Sequence, residues 1–342
     1  MAETAHFEDL PLTLHALGLR EVRERIAEWV RVTPLVPAVA DDVRVDLRLK
    51  LENRQVTGSF KARGATNHAL SAGGDRGLVT SSSGNHGKAV AWAAAHRGIA
   101  ARVHMPANSY PSKVQACRDL GAEVVLSQTR AEAEEAFRRS VEEGWTPAPP
   151  YDSELTVAGQ ASVGLEVLEQ WPRADVLVVP VGGGGLLAGC ALAFATADDG
   201  RTRRVVGVEP EGAAGMRDAL PTGVARPLAR VDSVIQGLTP PGPGVLNARV
   251  AHRFVERVDA ISDEAILRAQ ARLVHELGED VEPAGAAAYA RVLAGLPEAW
   301  FEGRREPLRV VAIVSGGNAH PHQLARLRED DAEWLLPDGG TP

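Results

Sequence analysis

Four short segments put reactive or ligand-holding groups at chain turns. In Thr57-Gly58-Ser59-Phe60-Lys61, the lysine follows a turn and opens an alanine-rich stretch, so an amine sits at a helix start. The positive helix end and the flanking Phe60 disfavour an ammonium, which is what a nucleophilic Schiff-base lysine needs. Taken alone, the segment also fits a solvated surface lysine. The second segment, Gly182, Gly183, Gly184 and Gly185, lies between the apolar runs VLVVPV and LLAGCALAFATA. Bare main-chain N–H groups at a helix N-terminus make an anion cradle, and a simple tight turn needs fewer glycines. Gly183-x-Gly185-x-x-Ala188, with Glu209 ending the next β-branched run, fits a dinucleotide fingerprint as well, and spacing alone does not separate the two.

The third segment, Ser81-Ser82-Ser83-Gly84-Asn85-His86-Gly87, offers hydroxyls, an amide and close main-chain approach to a carboxylate, although a serine N-cap with turn residues has the same composition. The fourth, Ser315-Gly316-Gly317-Asn318, is a polar turn after LRVVAIV, where α/β sheets bind ligands. His320 and His322 have no acid or cysteine beside them and read as surface residues. No HExxH or nucleophile elbow occurs.

The elements that must position these segments alternate. β-Branched runs (VDLRLKLE, GLVTSSS, ARVHMP, AEVVLS) are each followed by an alanine-rich or charged helical stretch. A second series runs through ASVGLEVLEQW, DVLVVPV, LLAGCALAFATA and RVVGVEP to helices near 263–278 and 284–296 and the strand LRVVAIV. Such alternation predicts an α/β protein with mostly parallel sheets, and two series predict two of them. WTPAPPYDSE (Trp145–Glu154) reads as a return crossing between lobes, because its prolines cannot continue a helix. Leu220–Leu246, with QGLTPPGPG at its core, reads as a surface loop, and the closing PDGGTP as a frayed tail.

Composition narrows the class. With 37 basic against 45 acidic residues the net charge is −8, so the electrostatic footprint of a nucleic-acid binder is missing. At 342 residues, two domains sharing an interface are expected. Only Lys50, Lys61, Lys88 and Lys113 are lysines, so chemistry that needs an amine has four candidates. Cys117 and Cys190 lie in apolar helical surroundings without zinc-ligand spacing and read as reduced core residues. Val176–Ala197 is uncharged over a membrane-spanning length, but four glycines would break a helix there, so strand, turn and helix is the better reading. The charged first thirty residues lack the apolar stretch of a signal peptide, and the expected location is cytoplasmic.

In this order, LKLENRQVTGSFKARGA (Leu49–Ala65), SSGNHG (Ser82–Gly87), VPVGGGGLLAG (Val179–Gly189) and SGGN (Ser315–Asn318) resemble the fold-type-II pyridoxal-phosphate enzymes, in particular the serine/threonine dehydratase and serine racemase branch. The resemblance runs from RVTPL (Arg31–Leu35) to SGGN, and it favours the phosphate cradle over the dinucleotide site.

The resemblance implies a tryptophan synthase β-like fold of two lobes, each a mostly parallel twisted sheet flanked by helices, with the cofactor in the cleft between them. Residues 1–72 plus 152–342 would form the large cofactor-binding domain and 73–151 the small one. It also implies pyridoxal 5'-phosphate as cofactor. Lys61 would bond to it and move the Cα proton, and Phe60 would lie beside its ring. Asn85 would bond its 3' oxygen, Gly182, Gly183, Gly184, Gly185 and Leu186 would hold its phosphate, and Ser315 would face its pyridine nitrogen. Ser82, Ser83, Gly84 and His86 would grip the substrate carboxylate, and Ser83 occupies the position of the opposite-face acid/base of racemases. A neutral serine at the pyridine nitrogen suits elimination. The implied reaction takes a 3-hydroxy amino acid (serine, threonine or an analogue) to a 2-oxo acid and ammonia. Amino-acid racemase, β-replacement enzyme and nicotinamide-dependent oxidoreductase stand as alternatives. The partners expected are a small amino-acid substrate and a second copy in a homodimer, with no nucleic acid or membrane.

Some residues depart from the family. Gly215 stands where racemase-like members carry a cation-binding acid six residues after Glu209, so no metal is expected. Ala161-Ser162 replaces the usual Gly-Thr, and QGLTPPGPG, within a loop at 236–244, matches no family segment.

Overall fold

The computed structural model describes residues 10–329 except 74, 75 and 198; the PDGGTP tail lies outside the described residues. Ten strands form two sheets. They are β1 (Leu35–Ala38), β2 (Val45–Leu51), β3 (Leu78–Ser81), β4 (Ala101–Pro106), β5 (Glu123–Ser127), β6 (Thr146–Pro147), β7 (Val176–Pro180), β8 (Arg204–Pro210), β9 (Arg257–Ile261) and β10 (Leu308–Val314). Six of them form a sheet in the order β1-β2-β10-β7-β8-β9, and the other four a sheet in the order β5-β4-β3-β6. Every pairing is parallel except β1 with β2. The helices are α1 (Ala16–Ile26), α2 (Lys61–Ser71), α3 (Asn85–Arg97), α4 (Pro111–Asp119), α5 (Arg130–Glu142), α6 (Glu154–Gln170), α7 (Gly185–Ala195), α8 (Gly215–Ala219), α9 (Val245–Phe254), α10 (Asp263–Leu277), α11 (Pro283–Leu293) and α12 (Pro321–Arg328). This is the mixed two-sheet architecture that the alternation predicts.

The central strands β7 and β10 read as apolar runs, interrupted only by Arg309 near the start of β10, because both of their faces are covered. Val176, Val178, Val310, Ala312 and Val314 pack under α10 and α11, while Leu177, Val179, Val311 and Ile313 pack under α7 and α9. Val176–Ala197 is indeed a strand, a glycine turn and a helix. No helix among the described residues is long and apolar enough to cross a membrane. Cys117 and Cys190 are free and buried. Three strands are not evident from periodicity. β1 carries a proline, tolerated because it is an edge strand; β6 has two residues; and β9 (RVDAI) interleaves charge with its apolar positions. The helix expected near 284–296 stops at Leu293, with Gly295 just beyond it at φ +88°.

Strand adjacency positions the four segments. Because β2, β10 and β7 are neighbours, the turns leaving their carboxyl ends, which lead to Lys61, Ser315 and the tetraglycine, lie side by side. Because β3 neighbours β6, the serine-asparagine turn lies beside the crossing strand that leaves residue 147. Beneath the Lys61 turn is a buried ionic cluster. Arg63 donates to Glu52 and Glu166, and Lys50 donates to Glu166 at 2.6 Å, with all four side chains 3% exposed or less. Burial works against the Glu166 charge, but Arg63 and Lys50 more than offset it and hold its pKa below the ordinary value. The cluster ties β2 and α6 to the first turn of α2.

Removing one partner from such a cluster strands the others. Glu166→Ala should lower unfolding free energy by about 3–5 kcal/mol, read from the urea midpoint at unchanged slope. A loss under about 1 kcal/mol would show that the cluster does not carry the α2 junction.

Candidate active site

The Lys61 turn is built against the Ser315 turn. Phe60 N–H donates to Ser315 O (3.2 Å), Gly317 N–H donates to Gly58 O (2.8 Å), and Ser59 bridges Gly316. Gly58 must be glycine, because its φ is +78° and a Cβ would fall 2.6 Å from Asn318 Oδ1. Lys61 begins α2, and its Nζ donates to Pro150 O at 2.6 Å while lying 5.0 Å from the Phe60 ring centroid. Burial pulls its pKa down to about 8, and the Glu282 carboxylate opposes that shift only in part. A substantial fraction of the amine is therefore neutral near physiological pH.

The tetraglycine caps α7. Among the described residues, no hydrogen bond takes up the main-chain N–H groups of Gly183, Gly184, Gly185 and Leu186, so four donors stand free at a helix N-terminus. Protein crowds the other side of the turn. A Cβ on Gly183 would overlap the Tyr151 ring, and one on Gly185 would lie 2.9 Å from Tyr151 O. A Cβ on Gly182 would lie 2.9 Å from Gly237 O, which places the unmatched 236–244 loop directly on the cradle. Asn247 Nδ2 braces the turn from α9 by donating to Gly183 O (2.7 Å) and Tyr151 O (3.1 Å).

Ser82, Ser83, Gly84 and Asn85 are partly accessible at the start of α3. His86 is different: its ring is buried and donates from Nε2 to Ala148 O (2.8 Å), and burial pushes its pKa down to about 3. The ring is neutral, and its Nδ1 has no partner among the described residues. Asn85 donates from Nδ2 to Glu282 and accepts at Oδ1 from Asn318 Nδ2 (2.8 Å). Ser315 is buried, with Oγ 3.4 Å from Ala284 O. Glu209 does not face the glycine turn as a ribose-binding acid would; it accepts Met216 N–H (2.8 Å) and Arg217 N–H (2.9 Å). His320 and His322 are exposed.

Sequence reasoning missed three participants. Glu282 is half-buried, with its pKa raised by desolvation, and a Cβ on Gly316 would overlap its carboxylate. Tyr151 and Asn247 brace the cradle. The Pro283 that follows Glu282 signals a helix start, but no spacing in the chain connects 282 with 85.

Comparison with known proteins gives the family of the chain. Residues 26–316 match the family described as Pyridoxal-phosphate dependent enzyme. The phenylserine dehydratase of Ralstonia pickettii is 35% identical over 317 residues, covering 89% of this chain and 93% of that protein. A catabolic L-threonine dehydratase of Staphylococcus aureus is 35% identical over 324 residues, covering 90% of each. The structure of maize serine racemase superposes with a TM-score of 0.85 at 34% identity, covering 93% of this chain and 98% of that one.

The lowered pKa of Lys61 has a direct readout. Labelling of Lys61 by a small neutral amine reagent, followed by peptide mass analysis across pH, should level off above about pH 8. A rate still climbing beyond pH 10 would show that the amine is solvated.

Proposed function

The chain belongs to the pyridoxal-phosphate dependent enzymes, and from that premise we propose that it is an ammonia-lyase that dehydrates 3-hydroxy amino acids to 2-oxo acids and ammonia. The observation that carries the reading is the pairing of a desolvated lysine amine with four free main-chain N–H groups. An aldehyde bearing a phosphate matches both ends. The residues fit pyridoxal 5'-phosphate: Lys61 would hold its aldehyde carbon, Gly183 to Leu186 its phosphate, Asn85 its 3' oxygen and Ser315 its ring nitrogen. When bound, the cofactor supplies the electron sink that acidifies the Cα–H bond of a joined amino acid.

The chain's own residues do the rest. The Ser82-Ser83-Gly84 turn and the N-terminus of α3 hold the substrate carboxylate, which together with the phosphate cradle fixes the direction of the Cα–H bond. Lys61, neutral in a substantial fraction of molecules, takes the Cα proton. The 3-hydroxyl then leaves with a proton as water, and the released enamine hydrolyses to the 2-oxo acid and ammonia. Ser315, a neutral hydroxyl, cannot hold a proton on the ring nitrogen as an aspartate would, which favours elimination over routes that need a strong electron sink.

The reading takes 73–151 as the small domain and the rest as the large one, in a cytoplasmic homodimer. A second reading, racemisation, draws on Ser83 at the α3 turn and on the likeness to maize serine racemase.

Two outcomes test this reading. Incubation with L-serine, L-threonine and 3-phenylserine, with keto-acid and chiral assays, should yield a 2-oxo acid from at least one of them; inversion without keto acid would transfer the assignment to racemisation. Lys61→Ala should lose at least about 10³-fold in turnover, and a variant that still deaminates at the parent rate contradicts the role of Lys61.

A further inference from the structure

Three of the chain's four lysines, Lys61, Lys88 and Lys113, lie near enough to the half-buried Glu282 to oppose the rise that desolvation gives its pKa. One of them reaches it through a hydrogen-bonded chain. Lys88 Nζ donates to Asn318 Oδ1 (2.9 Å), Asn318 Nδ2 donates to Asn85 Oδ1 (2.8 Å), and Asn85 Nδ2 donates to Glu282 Oε1. Asn318 Nδ2 also donates to Thr57 O (3.0 Å), which anchors the middle of the chain to the Lys61 turn.

The two ends of this chain are chemically unequal. An ammonium can only donate, so Asn318 must turn its oxygen toward Lys88 and its NH₂ toward Asn85. Asn85 must then turn its oxygen toward Asn318, which leaves its NH₂ facing Glu282, and a carboxylate can only accept. Donor-only and acceptor-only ends agree on one orientation for both amides, and the reverse orientation would set donor against donor at Lys88. The Asn85 NH₂ has two hydrogens, and Glu282 takes one.

We propose that Lys88 and Glu282 are positioning residues that lock the Asn85 amide with its second N–H toward the cofactor's 3' oxygen. The proposal rests on the reading of Asn85 as a cofactor contact. Neither end residue need touch the cofactor, and their effect passes through the direction of the amide chain.

Packing and hydrogen-bond direction predict different orders among variants of Lys88. If direction matters, Lys88→Arg, still donor-only, keeps cofactor affinity and absorption maximum near the parent's. Lys88→Met, which fills similar space without a donor, weakens pyridoxal-phosphate binding by about tenfold. Lys88→Glu, an acceptor that forces the opposite orientation, weakens it further and shifts the absorption maximum. The measurement is the dissociation constant and visible spectrum of each holoenzyme, with thermal midpoints of the cofactor-free proteins to confirm folding. An order in which Met matches the parent and Arg is impaired, or in which Met and Glu both bind as the parent does, overturns the proposal. Asn85→Ala is the control for the underlying reading: unchanged affinity and spectrum in that variant would remove Asn85 from the cofactor site, whereas a loss there with parent-like Lys88→Met and Lys88→Glu would overturn the directional lock alone.

Discussion

Five consecutive residues, Ala148 to Asp152, hold the cleft together through carbonyls and one carboxylate. Ala148 O accepts the His86 ring, Pro149 O the Thr156 hydroxyl, Pro150 O the Lys61 amine and Tyr151 O the Asn247 amide. The Asp152 carboxylate accepts the first two N–H groups of α9, Val245 (2.9 Å) and Leu246 (3.0 Å). The five residues of this crossing segment thus fasten four helices: α3, α6, α2 and, twice, α9. Pro149 and Pro150 have no main-chain donor of their own, so the main-chain groups they offer are acceptors. An amine facing only a carbonyl, out of water, is held without a charge partner in direct contact, which is why Lys61 loses its proton so readily.

The same economy runs through the rest of the site. The most buried ion pairs among the described residues, those of Lys50, Glu52, Arg63 and Glu166, lie under the first turn of α2, where they fix backbone position. Inside the cleft, the half-buried carboxylate of Glu282 is offset by the charge of lysines from three elements. The glycine cradle uses no charged side chain and offers main-chain N–H groups and a helix end. An anion bound there adds charge where no side chain must be desolvated for it.

Much of the site was legible in the sequence because each of its parts is local. Lys61, the tetraglycine, the serine-asparagine turn and Ser315 each follow a β-branched run, and the turns that leave the adjacent strands β2, β10 and β7 must meet, while the serine-asparagine turn comes from the other sheet. What stayed hidden depends on strand order. Glu282 meets Asn85 only because α11 packs beneath β10 while α3 belongs to the other sheet, and no periodicity encodes that. Tyr151 was read as loop, and its ring proves to fill the space that glycine at 183 leaves open. His86 was expected to grip the substrate carboxylate; its ring commits Nε2 to Ala148 O and leaves Nδ1 without a partner among the described residues, a division that no sequence pattern encodes. Glu209 satisfied a fingerprint by spacing while its carboxylate is spent on the backbone of residues 216 and 217.

The central claim is that, of the four lysines, the one facing Pro150 O takes the cofactor. Reduction of the pyridoxal-phosphate-loaded protein with borohydride, followed by peptide mass mapping, tests it most directly. The account predicts a pyridoxyl label on Lys61 and on none of Lys50, Lys88 or Lys113. A label on another lysine, or none at all on protein saturated with cofactor, would contradict it.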